Sequence, residues 1–341
     1  MATVVFYRPT SMLNPAVWQG TLAGTSVQIT LSDPPYEGTF LGLGITYDAN
    51  GATGGTLSLY IQSYSGLLDY SISELDCDAR TVYQHLKAGA AISAQQYLLR
   101  GNDLIAGSDS ADTIAGWDGD DQIIADGGGD TLIGGAGNDQ IHGNAGSDSL
   151  VGGSGNDTLN GGADLDTAGF SDNRALYAIA AAAGTISGPD GTDTFIDIER
   201  FQFTDKKLAF DLALGEAAGN AVRVIGAAFR ANNISAHPDW VGIALNLFDA
   251  GYGISQLAQL ALETAPYLAL AGSTTNEAFV NTVYRNVAGA LPSASEYDYY
   301  LGLLQSGSMT QAELLYFAAT CDANLQHIDL VGLQQNGVEF A

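Results

Sequence analysis

Eight aspartates recur at nine-residue intervals without an insertion: Asp103, Asp112, Asp121, Asp130, Asp139, Asp148, Asp157 and Asp166. An aliphatic side chain follows each by two positions (Ile105, Ile114, Ile123, Leu132, Ile141, Leu150, Leu159), with Ala168 closing the series. The clearest copies are Gly134-Gly135-Ala136-Gly137-Asn138-Asp139-Gln140-Ile141-His142 and Gly152-Gly153-Ser154-Gly155-Asn156-Asp157-Thr158-Leu159-Asn160. The unit is Gly-Gly-x-Gly-x-Asp-x-aliphatic-x. Its glycines permit tight turns that expose carbonyls, and its tail is a short strand with one inward residue. Two units make an 18-residue coil, so the aspartates fall on alternating edges: 112, 130, 148 and 166 on one, 103, 121, 139 and 157 on the other.

That stacking has a chemical consequence. Coils about 4.8 Å apart would bring successive carboxylates to ~5 Å, where they repel by roughly 3 kcal/mol at an effective dielectric near 20. A hard divalent cation reverses the sign. Carboxylate and carbonyl oxygens, six or so per site, suit Ca²⁺ better than Mg²⁺, which needs a stricter octahedron. The candidate ligands are the eight aspartates, Asp121/Asp139, Asp130/Asp148 and Asp139/Asp157 foremost, with the turn carbonyls of Gly116, Gly119, Gly128, Gly134, Gly137, Gly143, Gly146, Gly152 and Gly155. Leu98, Leu99, Trp117 and Asp164 stand where the pattern has glycine, so the outermost turns are weakest, and about four to six ions are expected.

The flanking segments must position this array. Residues 1–97 read as β-rich: Thr3–Tyr7, Ser26–Leu31 and Gly55–Ile61 carry β-branched and aromatic residues between turn formers, with a turn at Asp48–Gly51 and a helix over Ala79–Ala88. Residues 170–215 return to ordinary composition, and Thr194–Phe203 alternates like one strand. From 216 the chain reads helical, with a duplication near 56 residues in which Leu245–Gly251 answers Leu301–Gly307.

Composition excludes several functions. The 341 residues hold 11 Lys+Arg against 38 Asp+Glu, a net charge of −27, which leaves too few cations for phosphate-neutralising nucleic-acid binding or for an anionic membrane surface. No apolar run is long enough for a membrane span, and the opening residues do not form a cleaved signal peptide. There is no His-Glu-x-x-His, no Gly-x-Ser-x-Gly and no Gly-x-Gly-x-x-Gly. His85, His142, His237 and His327 lack metal-ligand spacing, and His142 fills a variable repeat position. Cys77 and Cys321 read as inert thiols, Tyr36, Tyr60, Tyr64 and Tyr70 as sheet packing, and Trp240, Tyr297, Tyr299 and Tyr300 as core or interface residues.

The nine-residue unit resembles the RTX nonapeptide, a Ca²⁺-binding repeat, over residues 98–169. The resemblance implies a parallel β-roll that folds on meeting calcium outside the cell, and type I secretion through an uncleaved C-terminal signal. Gly191–Phe201 resembles the segment that caps such rolls. Gly272-Ser273 onward, with Asn276–Val280 and Tyr284–Val287, resembles a helical domain of unknown function found behind RTX arrays and in surface-layer-type proteins. The N-terminal region is similar to the opening segments of other bacterial RTX proteins. The expected architecture is multidomain β plus α: a β-rich N-terminal domain (1–97), the β-roll (98–169), its cap (170–215) and a helical domain (216–341). The expected function is a secreted, non-enzymatic calcium-binding protein that assembles with itself or adheres at the cell surface. A carbohydrate-binding module for cell-surface polysaccharide and an enzyme of another type are the alternatives.

Overall fold

A computed structural model describes residues 100–341 and, before them, the backbone of five strands: β1 (Ala2–Tyr7), β2 (Val27–Asp33), β3 (Tyr36–Asp48), β4 (Gly51–Tyr64) and β5 (Leu67–Asp78). The helix expected over Ala79–Ala88 lies outside the described residues. The N-terminal region is β-rich as its composition implies: β2 to β5 run antiparallel in sequence order, and β3 meets β4 at Asp48↔Gly51, either side of the expected turn. The chain divides into two compact units, Met1–Ala178 with Ala183–Ile198, and Ile179–Ala182 with Glu199–Ala341.

In the first unit each repeat tail is a strand: β6 (Leu104–Ser108), β7 (Thr113–Asp118), β8 (Gln122–Asp126), β9 (Thr131–Ala136), β10 (Gln140–Ala145), β11 (Ser149–Ser154), β12 (Thr158–Ala163) and β13 (Thr167–Gly169). They alternate between two parallel sheets, β6-β8-β10-β12 and β7-β9-β11-β13, so the fold is a parallel β-roll. Register is 18 residues, with Ile123 beside Ile141 and Ile141 beside Leu159 in one sheet, and Leu132 beside Leu150 in the other. These aliphatics are fully buried and form the roll's core. Period two sends the residue after next inward as well. That position is glycine in six of the eight repeats; Ala125 and Phe170, both buried, are the exceptions.

Past the repeats, β14 (Ala178–Ala180) is followed by the hairpin of β15 (Thr185–Gly188) and β16 (Gly191–Ile196). Strand β16 adds in parallel to β12, with Phe195 beside Leu159. The single strand expected over Thr194–Phe203 is two: β16 ends at Ile196, and Asp197, at φ 49°, breaks it before β17 (Arg200–Gln202). Aspartate tolerates left-handed backbone better than most residues, so alternation on both sides concealed the break.

The second unit contains the small antiparallel sheet of β17, β18 (Lys207–Ala209) and β19 (Val338–Phe340), and ten helices: α1 (Ala217–Phe229), α2 (Asn232–Ala236), α3 (Pro238–Asp249), α4 (Ile254–Glu263), α5 (Ala265–Ala271), α6 (Asn276–Ala288), α7 (Ala294–Gln305), α8 (Gln311–Thr320), α9 (Asp322–His327) and α10 (Leu330–Asn336). Helix α1 is buried nearly all round and centres a core with Leu245, Leu257, Phe279, Val283 and Leu315. Inside it Asn286 donates to the Ala227 and Ala228 carbonyls, and Asn324 to those of Arg223 and Ala319. The α3–α4 and α7–α8 turns close alike: Gly251 and Gly307 are both left-handed, and their N–H groups bond Phe248 and Leu304. Trp240 packs on Phe229, and Tyr297 and Tyr300 on the core, while Tyr299 is exposed. Among the described residues no helix is long and apolar enough to cross a membrane.

Candidate metal centre

Two opposing needs build each turn. The strand must reverse within a few residues, which calls for left-handed backbone, and successive coils must touch. Gly137 meets both: its φ is 137°, and a Cβ there would lie 1.9 Å from the Gly119 carbonyl of the coil before. Gly119, Gly128, Gly146 and Gly155 are held in the same way. At the second turn position Trp117, Asp126 and Asn144 adopt the left-handed backbone that Gly135 and Gly153 adopt, and Asp164 does so at the fourth. The turn path therefore survives the departures from glycine.

The aspartates form two ladders. On one edge the N–H groups of Asp103, Asp121 and Asp139 donate to Oδ1 of Asp121, Asp139 and Asp157 at 2.8–2.9 Å. On the other, Asp112, Asp130 and Asp148 donate to Oδ1 of Asp130, Asp148 and Asp166 at 2.7–2.8 Å. All eight carboxylates are buried except that of Asp112, which is half-buried and accepts Ser108 N–H and Oγ at 2.8 and 3.1 Å. Outside this runs a third ladder that sequence reading missed, in which Asp120, Asn138 and Asn156 donate from the backbone to the side chain at the same position one coil earlier.

The second oxygen of each carboxylate carries the chemistry. Oδ2 of Asp121, Asp130, Asp139, Asp148 and Asp157 is buried with no hydrogen-bond partner. An ionised oxygen removed from water and left unsatisfied is strongly unfavourable. Burial accordingly pushes the carboxyls up, to about 7 for Asp139 and about 6 for Asp121 and Asp130, with neighbouring carboxylates adding to the effect; Asp148 and Asp157 are also raised. The Oδ2 atoms of Asp121, Asp139, Asp148 and Asp157 turn toward the first glycine of their own turns. The Cβ position of Gly134 lies 2.2 Å from Asp139 Oδ2 and 2.5 Å from the Gly152 carbonyl. At Gly116 the corresponding atoms are Asp121 Oδ2 and the Gly134 carbonyl, and at Gly143 Asp148 Oδ2 and the Gly161 carbonyl. A carboxylate oxygen and a carbonyl of the next coil are thus under about 5 Å apart, a span that one Ca²⁺ with ligands at about 2.3–2.6 Å bridges.

Among the described residues no three His, Cys, Asp or Glu side chains gather as a metal cluster. The donor set is instead one carboxylate per turn with backbone carbonyls, and hard oxygen donors of this kind fit calcium. His142 is half-buried on β10, and Cys321 is a free thiol. One participant escaped sequence reading: Asp193, beyond the regular repeats, accepts the Asp157 N–H on Oδ1 at 3.0 Å and so prolongs a ladder.

Comparison with known families agrees with this geometry. Residues 99–132 and 133–168 match the RTX calcium-binding nonapeptide repeat, and residues 264–325 match a domain of unknown function, DUF4214. The chain therefore carries an RTX calcium-binding array with a DUF4214 domain in its helical region. No curated protein matches the chain.

Proposed function

We propose that this is a secreted, non-enzymatic protein whose array folds around calcium and so displays its flanking regions for assembly or adhesion at the cell surface. The observation that carries the calcium part is the row of buried Oδ2 atoms, those of Asp121, Asp139 and Asp148 each beside a carbonyl of the next coil. Asp121, Asp130, Asp139, Asp148 and Asp157 would hold the ions, with Asp103 and Asp166 ending the ladders and the turn carbonyls completing each shell. A bound ion would neutralise the carboxylates and tie one coil to the next. Type I secretion, the usual route of RTX proteins, fits a chain meant to stay unfolded until it meets external calcium.

Support for assembly comes from the helical unit, where Tyr299, Tyr316 and Phe317 are exposed. Calcium also lowers the charge of −27 that drives copies apart. Light scattering of the full chain during a calcium titration tests this reading. Particles larger than a monomer at saturating calcium are expected. A folded monomer at every calcium level would remove assembly and favour adhesion, which retention on a polysaccharide column would then reveal.

A further inference from the structure

The RTX match ends at residue 168, yet the ladder does not. Asp193 follows Asp157 by 36 residues, where interior rungs are 18 apart, and still takes the rung's place. The surrounding turn is in register as well. The Cβ position of Gly191 lies 1.7 Å from the Gly155 carbonyl, as Gly155 stands over Gly137. Thr192 N–H donates to Asn156 Oδ1 at 2.8 Å, prolonging the outer ladder, and Gly155 N–H donates to the Asp190 carbonyl at 2.7 Å, as Gly137 does to Ser154. Gly188-Pro189-Asp190-Gly191-Thr192-Asp193 is therefore a further copy of the turn, reached after a looped-out insertion.

This copy differs from the others where an ion would sit. Beside Gly134, Gly116 and Gly143 the aspartate Oδ2 faces a carbonyl of the next coil. Beside Gly152 the nearest atom is Asp157 Oδ2, at 2.2 Å. Asp157 is 2% exposed and its Oδ2 has no partner. The closing turn adds a carboxylate where interior turns have Ala136 or Ser154: Asp190 Oδ1 is likewise buried without a partner, while its Oδ2 accepts the Tyr177 hydroxyl at 2.9 Å. The Asp190 charge acts on both Asp157 and Asp193. Two buried carboxylate oxygens without hydrogen-bond partners favour a cation.

We infer that the closing turn completes an additional divalent-cation site, with Asp157 Oδ2 and Asp190 Oδ1 as its carboxylate donors. Asp193 positions the turn through its bond to the Asp157 N–H, and Tyr177 orients Asp190. The ligand class is a hard, oxygen-seeking ion, Ca²⁺ or a lanthanide surrogate. The inference rests on the calcium reading of the array and extends it past the matched repeats. Calcium would then lock the end of the roll as well as its interior.

The test uses the full chain stripped with chelator. Calcium is titrated calorimetrically into wild type, Asp190→Asn and Asp139→Asn, and Tb³⁺ luminescence excited through tyrosine is followed in wild type and Tyr177→Phe. Asp190→Asn should bind about one ion fewer per chain with an unchanged circular dichroism spectrum in saturating calcium. Tyr177→Phe should lose a distinct part of the Tb³⁺ signal. Full stoichiometry in Asp190→Asn beside a deficit in Asp139→Asn overturns the closing site and leaves the array reading intact. No deficit in either variant overturns both. If Asp190→Asn does not fold, an unchanged Tb³⁺ signal in Tyr177→Phe overturns the closing site.

Discussion

Asp139 and Asp121 are joined by a hydrogen bond that leaves each carboxylate half used: the Asp121 N–H donates to Asp139 Oδ1 at 2.8 Å, while both Oδ2 atoms remain buried and unpartnered. The repeated contact divides the labour between the two oxygens. Oδ1 sets the register of the coils, and Oδ2 is the oxygen that the proposed calcium site would use. The same residue would thus serve both the fold and the proposed calcium site.

Asp139 is central in its ladder, bonded to Asp121 below and Asp157 above. Asp112 ends its ladder, half-buried, with Oδ2 already satisfied by Ser108. Asp139→Ala should lower calcium affinity and cooperativity several-fold more than Asp112→Ala. Equal effects in a calorimetric titration would contradict the division of roles between the two oxygens.

Glycine substitutions separate the site from the scaffold. Gly134→Ala would set a methyl 2.2 Å from Asp139 Oδ2 and 2.5 Å from the Gly152 carbonyl, so it should cost roughly 1–3 kcal/mol of stability in saturating calcium. Gly302→Ala, on exposed α7 with nothing within 4 Å of its Cβ position, should stabilise by about 0.5–1 kcal/mol. Thermal melts of both variants check the pair, and a neutral Gly134→Ala would be inconsistent with a packed ion site.

The raised carboxyls give the metal-free roll an inverted pH response. Asp139 at about 7 and Asp121 and Asp130 at about 6, against 3.8 ordinarily, hold protons more tightly folded than unfolded. Their contribution is fully present below about pH 4 and is lost as pH rises through 6 to 7. Chelator-treated protein should therefore compact as pH falls from 7.5 toward 5, the reverse of ordinary acid expansion, as followed by hydrodynamic radius. Calcium should remove the dependence near neutrality.

Much of this was legible in the sequence because one period governs the roll. A residue type repeated in register specifies strand, turn and edge together, so the aspartate columns and the Ile and Leu core follow from counting. What could not be counted was harder to see. Asp193 stands two coil lengths beyond Asp157 with Pro189 at a glycine position, so its rung shows only once Gly191 is found stacked on Gly155. The break at Asp197 depends on one backbone angle. Tyr299 is exposed while its neighbour Tyr300 packs against the core, partly buried, which helix rotation decides and composition does not.

Calcium is proposed to fold the array. Thirteen aspartates between 101 and 169, with no lysine, arginine or glutamate among them, repel one another until an ion intervenes. The most direct measurement is limited proteolysis mapped along the chain, with hydrodynamic radius, in excess chelator and in millimolar calcium at neutral pH. Cleavage throughout 98–169 and an enlarged radius are expected in chelator, with protection and compaction on adding calcium. An array that stays compact and protected in excess chelator would contradict it.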